Sequence, residues 1–233
     1  GQCPGIFGSH EGLRGKEMKT AVIISGGSLN PDFALAFLRE EKPELLIGAD
    51  RGICFLKEKE IHPTHIVGDF DSASGEALEY FKQFPEIPIR TFNPVKDFTD
   101  TAIAMELAME EGADRIYILG GTGTRLDHVV ANIKLLAMAL EQGKECILLD
   151  EHNRIRLTDQ PMKIRKTEQY GKYVSLFAFG GQVTGLTLRG FFYPLTEYDM
   201  EAENPLGVSN EITAENGEIS FSSGKLLVME SKD

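Results

Sequence analysis

Between Met18 and about Asp150 the chain repeats one pattern, a short apolar run followed by a longer amphipathic stretch. Thr20–Ser25 (TAVIIS), Glu44–Ala49 (ELLIGA), His65–Gly68, Ile89–Phe92, Arg115–Leu119 (RIYIL) and Glu145–Leu149 read as strands. Between them the spacing predicts helices over Pro31–Glu40, with Asn30 as N-cap, and over Ile53–Glu60, Gly75–Gln83, Thr99–Glu111 and Leu126–Glu141. Strands that are apolar throughout and alternate with helices imply a mostly parallel sheet covered on both faces. Such sheets take their ligands at the carboxyl ends of the strands.

After about Arg154 the helical period disappears. Short β-rich runs follow at Tyr173–Phe179, Gly185–Arg189, Gly217–Phe221 and Lys225–Met229, and Asn216-Gly217 reads as a hairpin turn. The expected organisation is an α/β domain over 18–150 and an all-β sandwich over 151–233, joined through Asp150–Thr158. The first 17 residues are Gly-rich, lack an apolar core and precede Met18. They read as a leader or vector-derived segment, with Met18 as the natural start.

Composition narrows the partners. The 233 residues are 42% hydrophobic, enough to bury a core without staples. A net charge of -12 argues against sequence-blind nucleic-acid binding, which needs a positive surface. An acidic protein that binds phosphates does so through metal ions or a locally basic pocket. Cys3, Cys54 and Cys146 are odd in number and far apart, so neither a disulfide framework nor a Cys-based zinc site is indicated. Cys54 and Cys146 sit among apolar residues and read as buried thiols of a reducing, cytoplasmic compartment. No apolar run approaches the roughly 18 residues of a membrane span.

Three acidic clusters each follow a predicted strand or open a helix: Asp50-Arg51-Gly52, Gly68-Asp69-Phe70-Asp71-Ser72 and Lys96-Asp97-Phe98-Thr99-Asp100. One such Asp is ordinarily a turn former or N-cap. Three at the same edge of one sheet point instead to a shared metal–phosphate site, because magnesium takes carboxylate oxygens together with substrate phosphates. The turn Gly120-Gly121-Thr122-Gly123-Thr124-Arg125 joins a strand to a helix. Its backbone N–H groups and Arg125 suit phosphate oxygens. Asp127 is placed to orient Arg125 or to reach a metal through water. His128 reads equally as a structural residue of a helix entering the core or as a ligand contact. In the β part, Gly207-Val208-Ser209-Asn210-Glu211 offers donors and acceptors for a heteroaromatic ring, against the plainer reading of a polar turn. Phe191-Phe192-Tyr193 reads as sandwich core rather than as a stacking platform.

Taken in order, Gly48-Ala49-Asp50-Arg51-Gly52, Val67-Gly68-Asp69-Phe70-Asp71-Ser72, Lys96-Asp97-x-Thr99-Asp100-Thr101, Gly120-Gly121-x-Gly123-x-Arg125-x-Asp127-His128 and Ser209-Asn210-Glu211 resemble the thiamine pyrophosphokinases of bacterial type. One departure is Ala102, where many members carry Glu. The resemblance implies transfer of a pyrophosphoryl group from ATP to thiamine by a homodimer, with thiamine between the β domain of one subunit and the α/β domain of the other. It implies Asp69, Asp71 and Asp100 as ligands of Mg2+, with Asp50 in support. Asp50, Arg51, Lys96, Gly120, Gly121, Thr124, Arg125 and Asp127 would hold ATP, and Ser209 and Asn210 would meet thiamine. Asp71, Asp97, Asp100 and Arg125 are the catalytic candidates, with Asp71 or Asp97 as proton acceptor from the thiamine hydroxyl. Two rivals remain: a haloacid-dehalogenase-type phosphatase, from the Asp69-x-Asp71 pair, and a non-catalytic nucleotide-sensing module.

Overall fold

The structure is a computed structural model that describes residues 18–69, 74–91 and 99–233. The expected leader over 1–17 therefore lies outside the described residues. The chain divides into two compact units, Met18–Glu151 and one that contains His152–Asp233.

The first unit alternates strand and helix: β1 (Thr20–Ile24), α1 (Pro31–Glu41), β2 (Leu45–Ala49), α2 (Gly52–Glu58), β3 (His65–Gly68), α3 (Gly75–Phe81), β4 (Ile89–Thr91), α4 (Asp100–Glu110), β5 (Arg115–Leu119), α5 (Leu126–Glu141) and β6 (Glu145–Leu149). The strands are parallel, in the order β6-β5-β1-β2-β3-β4. Central strands β1 and β2 are buried at every residue, as continuous apolar runs require when both faces are covered. Helix starts follow their local chemistry. Asn30 Oδ1 accepts from the N–H groups of Asp32 and Phe33 at 3.1 and 3.2 Å, with Pro31 opening α1. Thr99 Oγ1 accepts from Ala102 N–H at 3.2 Å and caps α4.

The second unit holds β7 (Asn153–Thr158), β8 (Met162–Arg165), β9 (Tyr173–Ala178), β10 (Val183–Arg189), β11 (Leu195–Met200), β12 (Asn210–Glu211), β13 (Asn216–Ser220) and β14 (Leu226–Ser231). They form two antiparallel layers, β12-β9-β14-β7 and β11-β10-β13-β8. Val174, Leu176 and Val228 of one layer share a core with Leu186, Leu188 and Ile219 of the other. This is the expected all-β sandwich.

Several local expectations are corrected. The expected link over Asp150–Thr158 is largely strand. Asn153–Thr158 pairs along its whole length with β14, and its period-2 burial turns Ile155 and Leu157 inward. Asn216-Gly217 is not a hairpin turn. It lies in β13, opposite Arg165 and Ile164. Glycine is needed there for packing, since a Cβ at 217 would sit 2.8 Å from Ile212 Cγ1 and Phe191 Cζ. Cys146 is buried, and burial pushes its thiol up to about 12, but Cys54 is only half-buried.

Candidate active site

The chain order locates a crevice in the first unit. From β1 the sheet grows through β2 and β3 to β4, then resumes on the other side of β1 with β5. The strand order thus reverses between β1 and β5, the place at whose carboxyl end open α/β sheets take their ligands. Two glycine turns meet there. Ser25 N–H donates to Leu119 O at 2.8 Å, and Gly27 N–H to Gly120 O at 2.9 Å. A Cβ on Gly27 would lie 2.4 Å from Gly120 O, and Gly120 itself has φ +70°. The close approach admits only glycine. On the far side, Asn132 of α5, buried, donates to Gly121 O at 2.9 Å and fixes the second turn.

Three carboxylates converge beside these turns. One oxygen from each of Asp50, Asp69 and Asp100 lies within 4.8 Å of the others. Asp50 leaves β2 with φ +49°, a conformation that Asp tolerates better than most residues and that is enriched at functional sites. Asp69 follows β3, and Asp100 opens α4. Burial, then the Asp50 and Asp69 charges, push the Asp100 carboxyl up to about 6, against the pull of the backbone N–H groups of Asp69 and Asp100. A bound cation would relieve that repulsion, and an all-oxygen donor set suits a hard divalent ion.

Asp50, expected only in support, thus stands level with Asp69 and Asp100. Asp71, Lys96 and Asp97 lie outside the described residues. Arg51 is exposed and precedes α2 directly after Asp50. Arg125 and Asp127 pair with each other, Nε to Oδ1 at 3.1 Å, so Asp127 orients the guanidinium at the start of α5. The Arg125 hydrogen bond holds the Asp127 carboxyl below its usual range. Thr124 is exposed in the same turn. His128 is also exposed, not part of the core. In the sandwich unit, Ser209 has φ +58° and its N–H donates to Ser175 Oγ at 3.0 Å. Asn210 is only 6% exposed, and its amide is bonded to Tyr193 and Glu211. The aromatic run divides: Phe191 is core, whereas Phe192 and Tyr193 are exposed.

The reading by sequence missed Ser25-Gly26-Gly27, although a Gly pair directly after a strand is the same signal that marked Gly120-Gly121. It also missed Asn132, a polar residue in the middle of an apolar helix.

The chain is similar to known proteins in both of its units. Residues 39–148 match the family model described as thiamin pyrophosphokinase, catalytic domain, and residues 160–226 match thiamin pyrophosphokinase, vitamin B1 binding domain. A Bacillus subtilis (strain 168) protein named thiamine pyrophosphokinase is 33% identical over 217 residues, 93% of this chain and 100% of that protein. The crystal structure of thiamine pyrophosphokinase from Bacillus subtilis is similar with a TM-score of 0.82 at 33% identity, covering 92% of this chain and 100% of that one. That of the Geobacillus thermodenitrificans enzyme gives 0.79 at 31% identity, covering 92% and 98%. With these matches the phosphatase and sensing-module readings fall away: the chain belongs to the thiamine pyrophosphokinase family.

Proposed function

We propose that this enzyme carries out pyrophosphoryl transfer from ATP to the thiamine hydroxyl on the Asp50–Asp69–Asp100 cluster, with release of AMP. The observation that carries the reading is the convergence of three carboxylates beside two glycine turns at the switch point of the sheet. Asp50, Asp69 and Asp100 would hold Mg2+, with Asp71 as a fourth candidate. A bound Mg2+ supplies charge neutralisation on the phosphate oxygens. The Gly120–Thr124 turn and the N-terminus of α5 offer N–H groups to the phosphates, and Arg125, held by Asp127, adds a planar fork of donors. Arg51 and Lys96 are the further candidate cations for ATP. Phosphoryl-type transfer asks a protein mainly for positioning and electrostatics, which these groups provide. Asp71 and Asp97 are the candidates to take the proton from the thiamine hydroxyl.

Thiamine is assigned to the Ser209 region of the sandwich unit, and the working form to a homodimer whose sites draw on both chains. Two observations support an assembly. Leu126 and Val130, one turn apart on α5, are exposed, and so are Phe192, Tyr193, Leu206 and Val208 of the sandwich unit. Among the described residues no helix is long and apolar enough to cross a membrane.

The test of the metal assignment is Mn2+ binding followed by electron paramagnetic resonance. Asp100→Asn should weaken binding at least about tenfold and lower turnover by orders of magnitude in a folded protein. Unchanged Mn2+ affinity in a folded Asp100→Asn protein would remove the cluster from the metal site.

A further inference from the structure

Two adjacent glycines follow β1, and their surroundings differ. At Gly27 an added Cβ would strike backbone, the carbonyl oxygens of Gly120 and Gly123 at 2.4 and 2.5 Å. At Gly26 it would lie 2.8 Å from Asp50 Oδ2, the end of a side chain, with Arg51 Cβ and N both at 3.2 Å. The two glycines therefore serve different neighbours. Gly27 lets two turns meet, and Gly26 leaves the room in which the Asp50 carboxylate lies.

Both main chains are anchored at this contact. Gly26 stands between two bonded residues: Ser25 N–H donates to Leu119 O at 2.8 Å, and Gly27 N–H to Gly120 O at 2.9 Å. Asp50 is held on either side as well. Its N–H donates to Val67 O at 2.9 Å, and its carbonyl accepts from Ile53 N–H at 3.3 Å. With the backbones fixed, the carboxylate is the part that yields. Ordinary contact begins at 3.4 Å, so a methyl group at position 26 displaces Oδ2 by about 0.6 Å. Gly26 is not held in the left-handed region, so its own backbone accepts alanine.

We propose that Gly26 is a positioning residue: the absence of a side chain there seats the Asp50 carboxylate where it meets those of Asp69 and Asp100. One oxygen from each of the three lies within 4.8 Å of the others. This rests on the reading that the cluster holds a divalent cation. Such an ion tolerates little error in its ligands, since magnesium asks for near-octahedral oxygens at about 2.1 Å. A carboxylate displaced by about 0.6 Å no longer meets that demand together with two others. Gly26 itself contributes no atom to the ion. It acts through Asp50, as groups that orient a ligand do.

The experiment is a mutant cycle read as the Mn2+ affinity of the purified protein by electron paramagnetic resonance, with melting temperatures alongside. Asp50→Gly removes the carboxylate and suits the positive φ, and should weaken Mn2+ binding at least about tenfold. Gly26→Ala should weaken it about tenfold, with a melting temperature within about 4 °C of wild type. The double variant should bind no more than about twofold worse than Asp50→Gly, because the methyl group then has no carboxylate to move. Wild-type Mn2+ affinity in folded Gly26→Ala would overturn the proposal, and so would multiplied effects in the double variant. If Gly26→Ala does not fold, the double variant decides. It should fold, since Asp50→Gly clears the space that the methyl group needs. Failure of both to fold would mean that the methyl group strikes backbone, against the proposal. Failure of the underlying reading shows separately, as wild-type Mn2+ affinity in Asp50→Gly, and takes the proposal with it.

Discussion

The hydroxyls of Ser25 and Thr101 lie 2.6 Å apart, both buried. The bond joins the turn after β1 to the first turn of α4, one residue from Asp100. It links the glycine turn after β1 to the carboxylate cluster. Thr101→Val keeps the shape but leaves the Ser25 hydroxyl unpaired, at a cost of about 1–3 kcal/mol. The expected outcome is a lower melting temperature together with weaker Mn2+ binding, both restored by Thr101→Ser. A loss of stability with unaltered Mn2+ affinity would make the bond purely structural.

The pH dependence of metal binding follows from Asp100. Its carboxyl is raised to about 6 in the folded protein by burial and by its acidic neighbours. A raised carboxyl favours the protonated folded state, so in the metal-free protein this group costs stability as pH climbs from the ordinary carboxylate range through about 6. A metal must displace that proton. Apparent Mn2+ affinity should therefore be flat above pH 7 and fall about tenfold per unit below 6. Titration calorimetry at several pH values measures this directly, and an affinity that is flat between pH 5 and 7 would contradict it.

Gly27 offers a steric test. A Cβ there would press on Gly120 O at 2.4 Å and Gly123 O at 2.5 Å, both backbone atoms that cannot swing aside. Gly27→Ala should force the two turns apart. Misplacement of a positioning element by about 1 Å is enough to cost about a hundredfold in rate. The expected signature is a raised ATP KM and a reduced kcat, with the thiamine KM nearly unaltered. Wild-type kinetics would show that the two turns do not hold ATP.

Glu230 governs the stability of the sandwich unit. Its carboxylate, 0% exposed, accepts from Arg154 Nε and Nη2, from Arg156 Nη2, each at 2.8 Å, and from Tyr170 N–H at 3.0 Å. Burial pushes this carboxyl up, but the Arg154 hydrogen bond and the two guanidinium charges outweigh it and hold it below its ordinary value. A depressed carboxyl adds stability above the unfolded-state pKa and loses it as pH falls through the folded value. Glu230→Ala leaves two partly buried guanidinium groups without their carboxylate, and should cost about 3–5 kcal/mol in urea unfolding at pH 7. The difference from wild type should shrink as the pH is lowered below the ordinary carboxylate range.

These features differ in how far the chain reveals them. The parallel sheet was legible because β1, β2 and β5 are apolar runs between helical stretches, and the cluster because Asp50, Asp69 and Asp100 stand at corresponding strand and helix ends. β7 was hidden because Asn153-Arg154-Ile155-Arg156-Leu157-Thr158 is polar at alternate positions. Those arginines look like linker residues until their buried partner Glu230, 74 and 76 residues along the chain, is placed opposite. Asn210 was legible as a special position, but the hydrogen bonds of its amide were not. Which groups saturate its amide depends on the return of Tyr193 across 17 residues, a contact that no local spacing encodes.

The central claim is a pyrophosphoryl transfer supported by a divalent cation, and its most direct measurement is product stoichiometry. Purified protein with ATP, thiamine and Mg2+ would be sampled over time by liquid chromatography. The account predicts that thiamine diphosphate and AMP appear in equal amounts, that both vanish with a chelator, and that no AMP forms without thiamine. Formation of thiamine monophosphate with ADP, or AMP released independently of thiamine, would contradict it.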